Sequence, residues 1–512
     1  MKFKTLSAAM AAACGVIAAP AYALTADQYT NTSEFGTGTG NNTMNIRISG
    51  ATAQDPGLLA TAVRVCAAGT MHRYAISNNF VYFCTGGPSI TQRPGTTKVA
   101  IYKYSVGGSG AGVAPVNNAT PLPFLDLTKV AANCTGANAT TTIVDPDGTG
   151  PLPSYTNVEC AGATSLYTTN ALSYIGISDV EPSFFGPAAG NYDSLQSEAL
   201  ASVIFGAPVT RNIYEALQRQ QGLATLAQQT TANAGGTISP AAACGATNLA
   251  GLVGEACMPS LSQAQLTSMY TQSGQSWGAL GIDSGLADDT IYVARRADTS
   301  GTQKSYEAVV AKTINGTSGA KSCFEDTDPF VSGTFLLNNA AADAACNAAS
   351  PADIAFNASG SGQVVRCLEG LNASGHGGIG VLSTEYKQTA AGQLRFTKIG
   401  GVAPTHAQVA SGAYQFYTDA ALNTRLGTSP TASALGYPAF LTLLKNNFAN
   451  PATVEIINAG DQTFGPSGLM ALDALATPVP AADFSGATPR NPWSRLVGGA
   501  TLNNCQSGKA NF

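Results

Sequence analysis

The sequence predicts an α/β fold in two lobes, with mostly parallel sheets flanked by helices. Three observations predict it. Short apolar strands alternate with helical patterns along most of the chain, the order that builds parallel sheets through crossover helices. The chain has 512 residues, 44% of them hydrophobic, so two lobes are the natural expectation. Several strands stop at loops of Gly, Ser and Thr, where open α/β sheets receive ligands.

The elements follow in order. Met1-Lys-Phe-Lys4 is basic, Leu6–Ala19 is small and apolar, and Ala21-Tyr22-Ala23 is an A-x-A pattern, so residues 1–23 are expected to be a secretory signal peptide. Cys14 follows three alanines rather than the large aliphatic residue of a lipidation site. Leu24–Asn42 is polar and loose. Met44–Ile48 alternates like a strand and ends at Ser49-Gly50-Ala51-Thr52, before a helix over Asp55–Ala67. Lys98–Tyr104 is a strand ending in the glycine-rich Gly107–Gly112. Pro115–Asn170, rich in Asn, Thr, Pro and Gly, reads as a surface insertion. Leu172–Ile177 is a buried strand that stops at Ser178-Asp179, and Ala201–Val209 is another, followed by a helix over Arg211–Gln220. Ser260-Leu-Ser-Gln263 has the form of a capping box for a helix through Tyr270. Lys321–Ser361 reads as a second insertion. Gly377–Leu382 and Leu394–Ile399 are strands, Ala439–Phe448 an apolar helix, and Asn450–Val454 the start of an extended piece.

Composition narrows the function. Only 11% of residues are charged, against about 25% in ordinary soluble proteins. The net charge of −5 becomes −7 once Lys2 and Lys4 leave with the leader. No basic stripe suits nucleic acid, and no later apolar run approaches the ~18 residues of a membrane span. The three histidines, His72, His376 and His406, are scattered and no C-x-x-C occurs, so neither a metal nor another cofactor is expected. Ten cysteines remain besides Cys14, an even number that suits up to five disulfides in an exported chain. Neighbour pairing would join Cys66–Cys84, Cys134–Cys160, Cys244–Cys257 and Cys323–Cys346, leaving Cys367–Cys505; sequence alone does not fix this connectivity.

The stretch Thr290-Ile-Tyr-Val-Ala-Arg-Arg-Ala-Asp-Thr-Ser-Gly-Thr-Gln303 carries the most chemistry. A strand runs into Arg296, and Ser300-Gly301-Thr302 opens a helix through Lys304–Ile314. A helix start has backbone N–H groups without internal partners and favours negative charge. The hydroxyls add donors, and the Arg296 fork matches a tetrahedral oxyanion. Plainer readings exist: Asp179 as a turn cap, and Arg296 paired with Asp298 or another carboxylate.

Taken together, four loops resemble the phosphate-binding protein of phosphate ABC transporters, a periplasmic binding protein of the two-lobed type 2 class. The resemblance is strongest at Val293–Thr302, where that family has R-x-D-G-S-G-T. Ser49-Gly50-Ala51-Thr52 resembles its G-A-T loop, Gly108-Ser109-Gly110 its G-S-x-G loop, and Gly176-Ile-Ser-Asp179 its G-A-S-D motif. Leu266–Trp277, Gly377–Gly380 and Leu394–Pro404 resemble further family segments in the same order, so the likeness spans most of residues 44–460. It implies a phosphate site at Thr52, Ser109, Asp179, Arg296, Ser300, Gly301 and Thr302, in a cleft between the lobes. Residues 24–200 and 405–512 would form the first lobe, with an insertion at about 115–170. Residues 201–404 would form the second, with an insertion at about 321–361. The sequence departs from the family at Ala53, which stands for an aromatic, at Thr299, which stands for a turn glycine, and in the roughly seventy residues between Ser109 and Asp179.

The implied function is extracytoplasmic capture of inorganic phosphate by a monomer, periplasmic or secreted, handing its ligand to an ABC permease. The alternative is a secreted or surface phosphate-sequestering or structural protein without a transport role. An enzyme is not expected: no G-x-S-x-G elbow is present and no histidine stands in a triad context.

Overall fold

The computed structural model describes residues 25–29, 42–90, 96–134, 138–141, 154–185, 192, 194–239, 243–272, 274–311, 334–336, 346, 351, 354–389, 392–426, 436–458, 462–472, 484–497, 501–502, 504–505 and 507–510. The leader expected over residues 1–23 and most of the 321–361 segment lie outside them.

The first sheet is built around Asn42–Gly50, which runs parallel to Thr96–Tyr104 on one side and to Ile175–Ser178 on the other. Period-two alternation decides what each strand buries. Met44, Ile46 and Ile48, with Val99 and Ile101, enter the main core, whereas Ala100 and Tyr102 enter a second core on the opposite face. A hairpin of His72–Ile76 and Asn79–Thr85 extends the sheet beyond Thr96–Tyr104, turning at Ser77 with φ of 53°. On the other side Tyr417–Arg425 and Leu195–Thr210 add antiparallel strands.

The second sheet centres on Ile291–Arg296, parallel to both Ala355–Ala358 and Gly377–Gly380. Leu195–Thr210 joins the two sheets. This strand of 16 residues pairs with Tyr417–Arg425 over its first part and with Leu394–Ile399 over its last. The sheets therefore share one continuous strand, and the core is continuous from Ile48 to Leu371. Helices flank both sheets. Asp55–Val65, with Pro56 in its first turn, lies against Gly436–Ala449 so closely that a Cβ on Gly57 would sit 2.0 Å from the Phe448 ring. Ser361–Ala373 covers the Gly377–Gly380 strand, with Leu368 and Leu371 against Gly378.

Several expectations are corrected. Pro115–Asn170 is no mere surface decoration: Tyr155–Glu159 joins the sheet edge beside His72–Ile76, and Phe124, Leu127, Val130 and Tyr167 close the second core over Tyr74, Val81, Phe83 and Tyr102. The capping box is Ser262 with Gln265, two residues later than expected, and the helix is Gln263–Thr271. Asn450–Val454 does not begin an extended piece. Pro451–Asn458 is a helix, with Pro451 at its first position and the Asn450 side chain accepting from Ala452 N at 3.0 Å. The disulfides Cys66–Cys84, Cys134–Cys160 and Cys244–Cys257 form as the neighbour rule suggests. Cys346 instead joins Cys367, which the Ser361–Ala373 helix carries at its middle. That excludes both Cys323–Cys346 and Cys367–Cys505; Cys505 is itself disulfide-bonded.

Candidate functional site

Backbone contacts that only glycine permits bring the loops of the first sheet together. Gly50 has φ of 117°, and a Cβ there would lie 1.9 Å from Ile177 O. A Cβ on Gly176 would lie 1.8 Å from Gly112 O. The loops after Asn42–Gly50, Thr96–Tyr104 and Ile175–Ser178 are thus stacked backbone on backbone. Buried Lys103 holds the first of them, donating to Gly50 O at 3.0 Å and Ala51 O at 2.8 Å while pairing with Asp55 at 2.9 Å.

Asp179 emerges from this stack, 3% exposed. Its backbone N–H donates to Ser109 Oγ at 3.0 Å. Its carboxylate accepts from Gln54 Nε2 at 3.1 Å and from Thr302 Oγ1 at 3.3 Å. Burial raises its pKa above the usual carboxylate range, against the opposing pull of Gln54, Arg296, Thr302 and Ser109.

The second sheet supplies the facing groups. Arg296 ends its strand 2% exposed and sends Nη1 to Ser361 Oγ and Nη2 to Ser359 O at 3.4 Å, while its Nε has no partner. Burial lowers its pKa; Tyr386, Asp179 and Glu385 counter that. Asp298 pairs with the neighbouring Arg295, so the plainer reading of Arg296 as its partner does not hold. Ser300 occupies the N-cap position of Gly301–Tyr306 without a side-chain cap bond. The helix continues in π form over Glu307–Ala311. Thr299 takes the turn without a positive φ, and its carbonyl accepts from Gly110 N at 2.8 Å, tying one sheet's loop to the other's.

The structure brings all seven expected residues to one place. A Cβ on Gly301 would lie 2.3 Å from Ser109 Oγ and 2.7 Å from Asp179 Cβ, and one on Gly108 would lie 3.4 Å from both Arg296 Nη2 and Ser300 Cα. Thr52 joins through Ser361, at 3.5 Å between hydroxyls. Sequence reasoning missed Gln54, Ser359, Ser361 and Glu385. Ser359-Gly360-Ser361 is another strand-end loop of the same kind, hidden at the edge of what reads as an insertion. Glu385 carries no such signal. Chemically, the cluster offers hydroxyl donors, one guanidinium fork and one acceptor carboxylate, all buried except the partly exposed Thr52. Among the described residues no group of three or more His, Cys, Asp or Glu side chains could hold a metal ion. No helix there is long and apolar enough to cross a membrane.

No protein-family model matches the chain, and no curated protein matches it. Among solved structures, a Clostridium perfringens chain with bound phosphate is similar at 13% identity and a TM-score of 0.40, covering 81% of this chain and 98% of its own. An ABC-type phosphate transport receptor from Vibrio cholerae is similar at 14% identity and a TM-score of 0.38, covering 80% and 98%. The ancestral soluble variant of the human phosphate binding protein is similar at 13% identity and a TM-score of 0.37, covering 83% and 90%.

Proposed function

We propose that this chain is an extracytoplasmic solute-binding protein that captures inorganic phosphate between its two lobes, without turning it over, and delivers it to an ABC permease. Thr52, Ser109, Asp179, Arg296, Ser300, Gly301 and Thr302 would be its binding residues. One observation carries the reading: a buried acceptor carboxylate, Asp179, stands within the same contact cluster as a buried guanidinium and several hydroxyls contributed by two sheets.

The chemistry follows from that arrangement. Desolvating an oxyanion is expensive, so the site must replace its water with oriented donors. Arg296, Ser109 and Ser300, with the backbone N–H groups at Gly301 and Thr302, would supply them, the Thr302 hydroxyl being given to Asp179. Asp179 repels an anion unless the ligand donates a proton to it. Hydrogen phosphate has that proton and sulfate does not, so Asp179 would reject sulfate by like charge and a missing hydrogen bond. Each lobe holds half of the shell, so ligand favours the state in which both halves meet.

Calorimetry tests the assignment. The expected result is saturable phosphate binding with micromolar or tighter affinity and no comparable sulfate heat; equal affinity for the two would defeat the role given to Asp179.

A further inference from the structure

Glu385 belongs to none of the four loops, yet its carboxyl shares their charge environment. It follows Leu382–Ser383, which pairs with Phe205 and Gly206 of the long strand, and Thr384 N donates to Ile204 O at 2.9 Å. Glu385 is therefore anchored on the strand common to both sheets. Part of the residue reaches the surface, but both carboxyl oxygens are buried and neither meets a donor at hydrogen-bond geometry, the nearby Ser383 hydroxyl and Glu385's own backbone N–H included. Asp179 and Asp55 act on it as like charges, Arg296 as an opposite one, and the Tyr386 hydroxyl also couples to it. These neighbours are already engaged: Asp55 with Lys103, Asp179 with Gln54 and Thr302, and Arg296 with Ser361 and Ser359. A buried carboxyl without a donor is costly, and what is missing is a proton-bearing partner.

We propose that Glu385 is a specificity-determining residue of the cleft, bringing a second, unpaired buried carboxyl within the charge field of Asp179 so that the captured oxyanion is held together with two shared protons. This rests on the reading of the cleft as a phosphate site. Asp179 accepts one ligand hydroxyl. Glu385 and a second ligand oxygen share the other proton, whichever of them carries it. Dihydrogen phosphate brings both protons; hydrogen phosphate brings one and the second sits on Glu385, taken from solvent when Glu385 is ionised. No bond other than O–H is made or broken. Without that second proton, two carboxylates and a dianion would set four negative charges against one buried guanidinium. Burial already pushes the Glu385 carboxyl up to about 8 in the free protein, so it loses its proton just above neutrality.

The test counts protons. Inorganic phosphate is titrated into the full chain in buffers of different ionisation heat at several pH values. Wild type should take up close to one proton per phosphate at about pH 9, its affinity falling about fivefold from pH 8 to pH 9. Glu385→Gln should take up none there, with affinity changing by less than about twofold over that interval. Glu385→Ala, with the same expectation, serves if Gln disturbs folding, which melting curves report. A variant that binds phosphate with the wild-type proton count overturns this proposal alone. Wild type that takes up no proton at about pH 9 while still binding phosphate also overturns it. No phosphate heat in wild type at any pH overturns the reading of the cleft itself.

Discussion

Asp179 would decide selectivity in the proposed site because it is an acceptor among donors. Asp179→Asn turns one acceptor oxygen into a donor and removes the like charge, so sulfate affinity should rise by about tenfold or more while phosphate loses part of its advantage. Competition calorimetry with the two anions measures this directly. Arg296 is the complementary case: its guanidinium is buried, and truncating it leaves the bound anion without its main counter-charge. Arg296→Ala should weaken phosphate binding by about 2–5 kcal/mol. The same titration measures it, with melting curves confirming that the variant is folded. A loss below about 1 kcal/mol would mean that Arg296 serves Ser359 and Ser361 rather than a ligand.

The helix beginning at Gly301 must approach the first sheet's loops more closely than any side chain allows. Gly301→Ala would place a Cβ 2.3 Å from Ser109 Oγ, forcing the loops apart. The expected cost is about 1–3 kcal/mol of stability and at least a tenfold loss of phosphate affinity, read by denaturation and calorimetry. Elements with strong periodicity were legible in the sequence: Leu394–Ile399 and Arg211–Gln220 form over the expected residues, and the strand into Arg296 begins one residue into the expected stretch. So was the convergence of four loops, since each is a small-residue turn at a strand's carboxyl end. What was not legible depends on contacts distant in sequence. The Cys346–Cys367 pairing follows from where a helix docks, and the role of Pro115–Asn170 follows from an apolar face that Val81, Phe83 and Tyr102 leave open. The hairpin His72–Ile76 with Asn79–Thr85 and the helix behind Asn450-Pro451 had local signals, aromatic alternation and an N-cap before a first-turn proline, which charge and composition do not reveal.

At the scale of the whole molecule, buried carboxyls set the response to pH. Glu181, which accepts from Asn504 N at 2.9 Å and Nδ2 at 2.7 Å, is pushed up to about 7 by burial, and Glu385 to about 8. A carboxyl whose folded pKa lies above its unfolded value stabilises most when protonated. That stability is full below the unfolded value of about 4.3 and is lost as pH rises through the folded one. Unfolding free energy of the ligand-free protein should therefore fall between about pH 5 and pH 8, and Glu181→Gln should flatten the slope; chemical denaturation at several pH values reads both. Whether the loops of the two sheets form one phosphate site is read out by melting the full chain with phosphate or sulfate at matched ionic strength. A ligand that binds only the native state must raise the midpoint. A concentration-dependent rise with phosphate and none with sulfate is expected; no rise with phosphate, or equal rises with both, would rule out a selective phosphate site there.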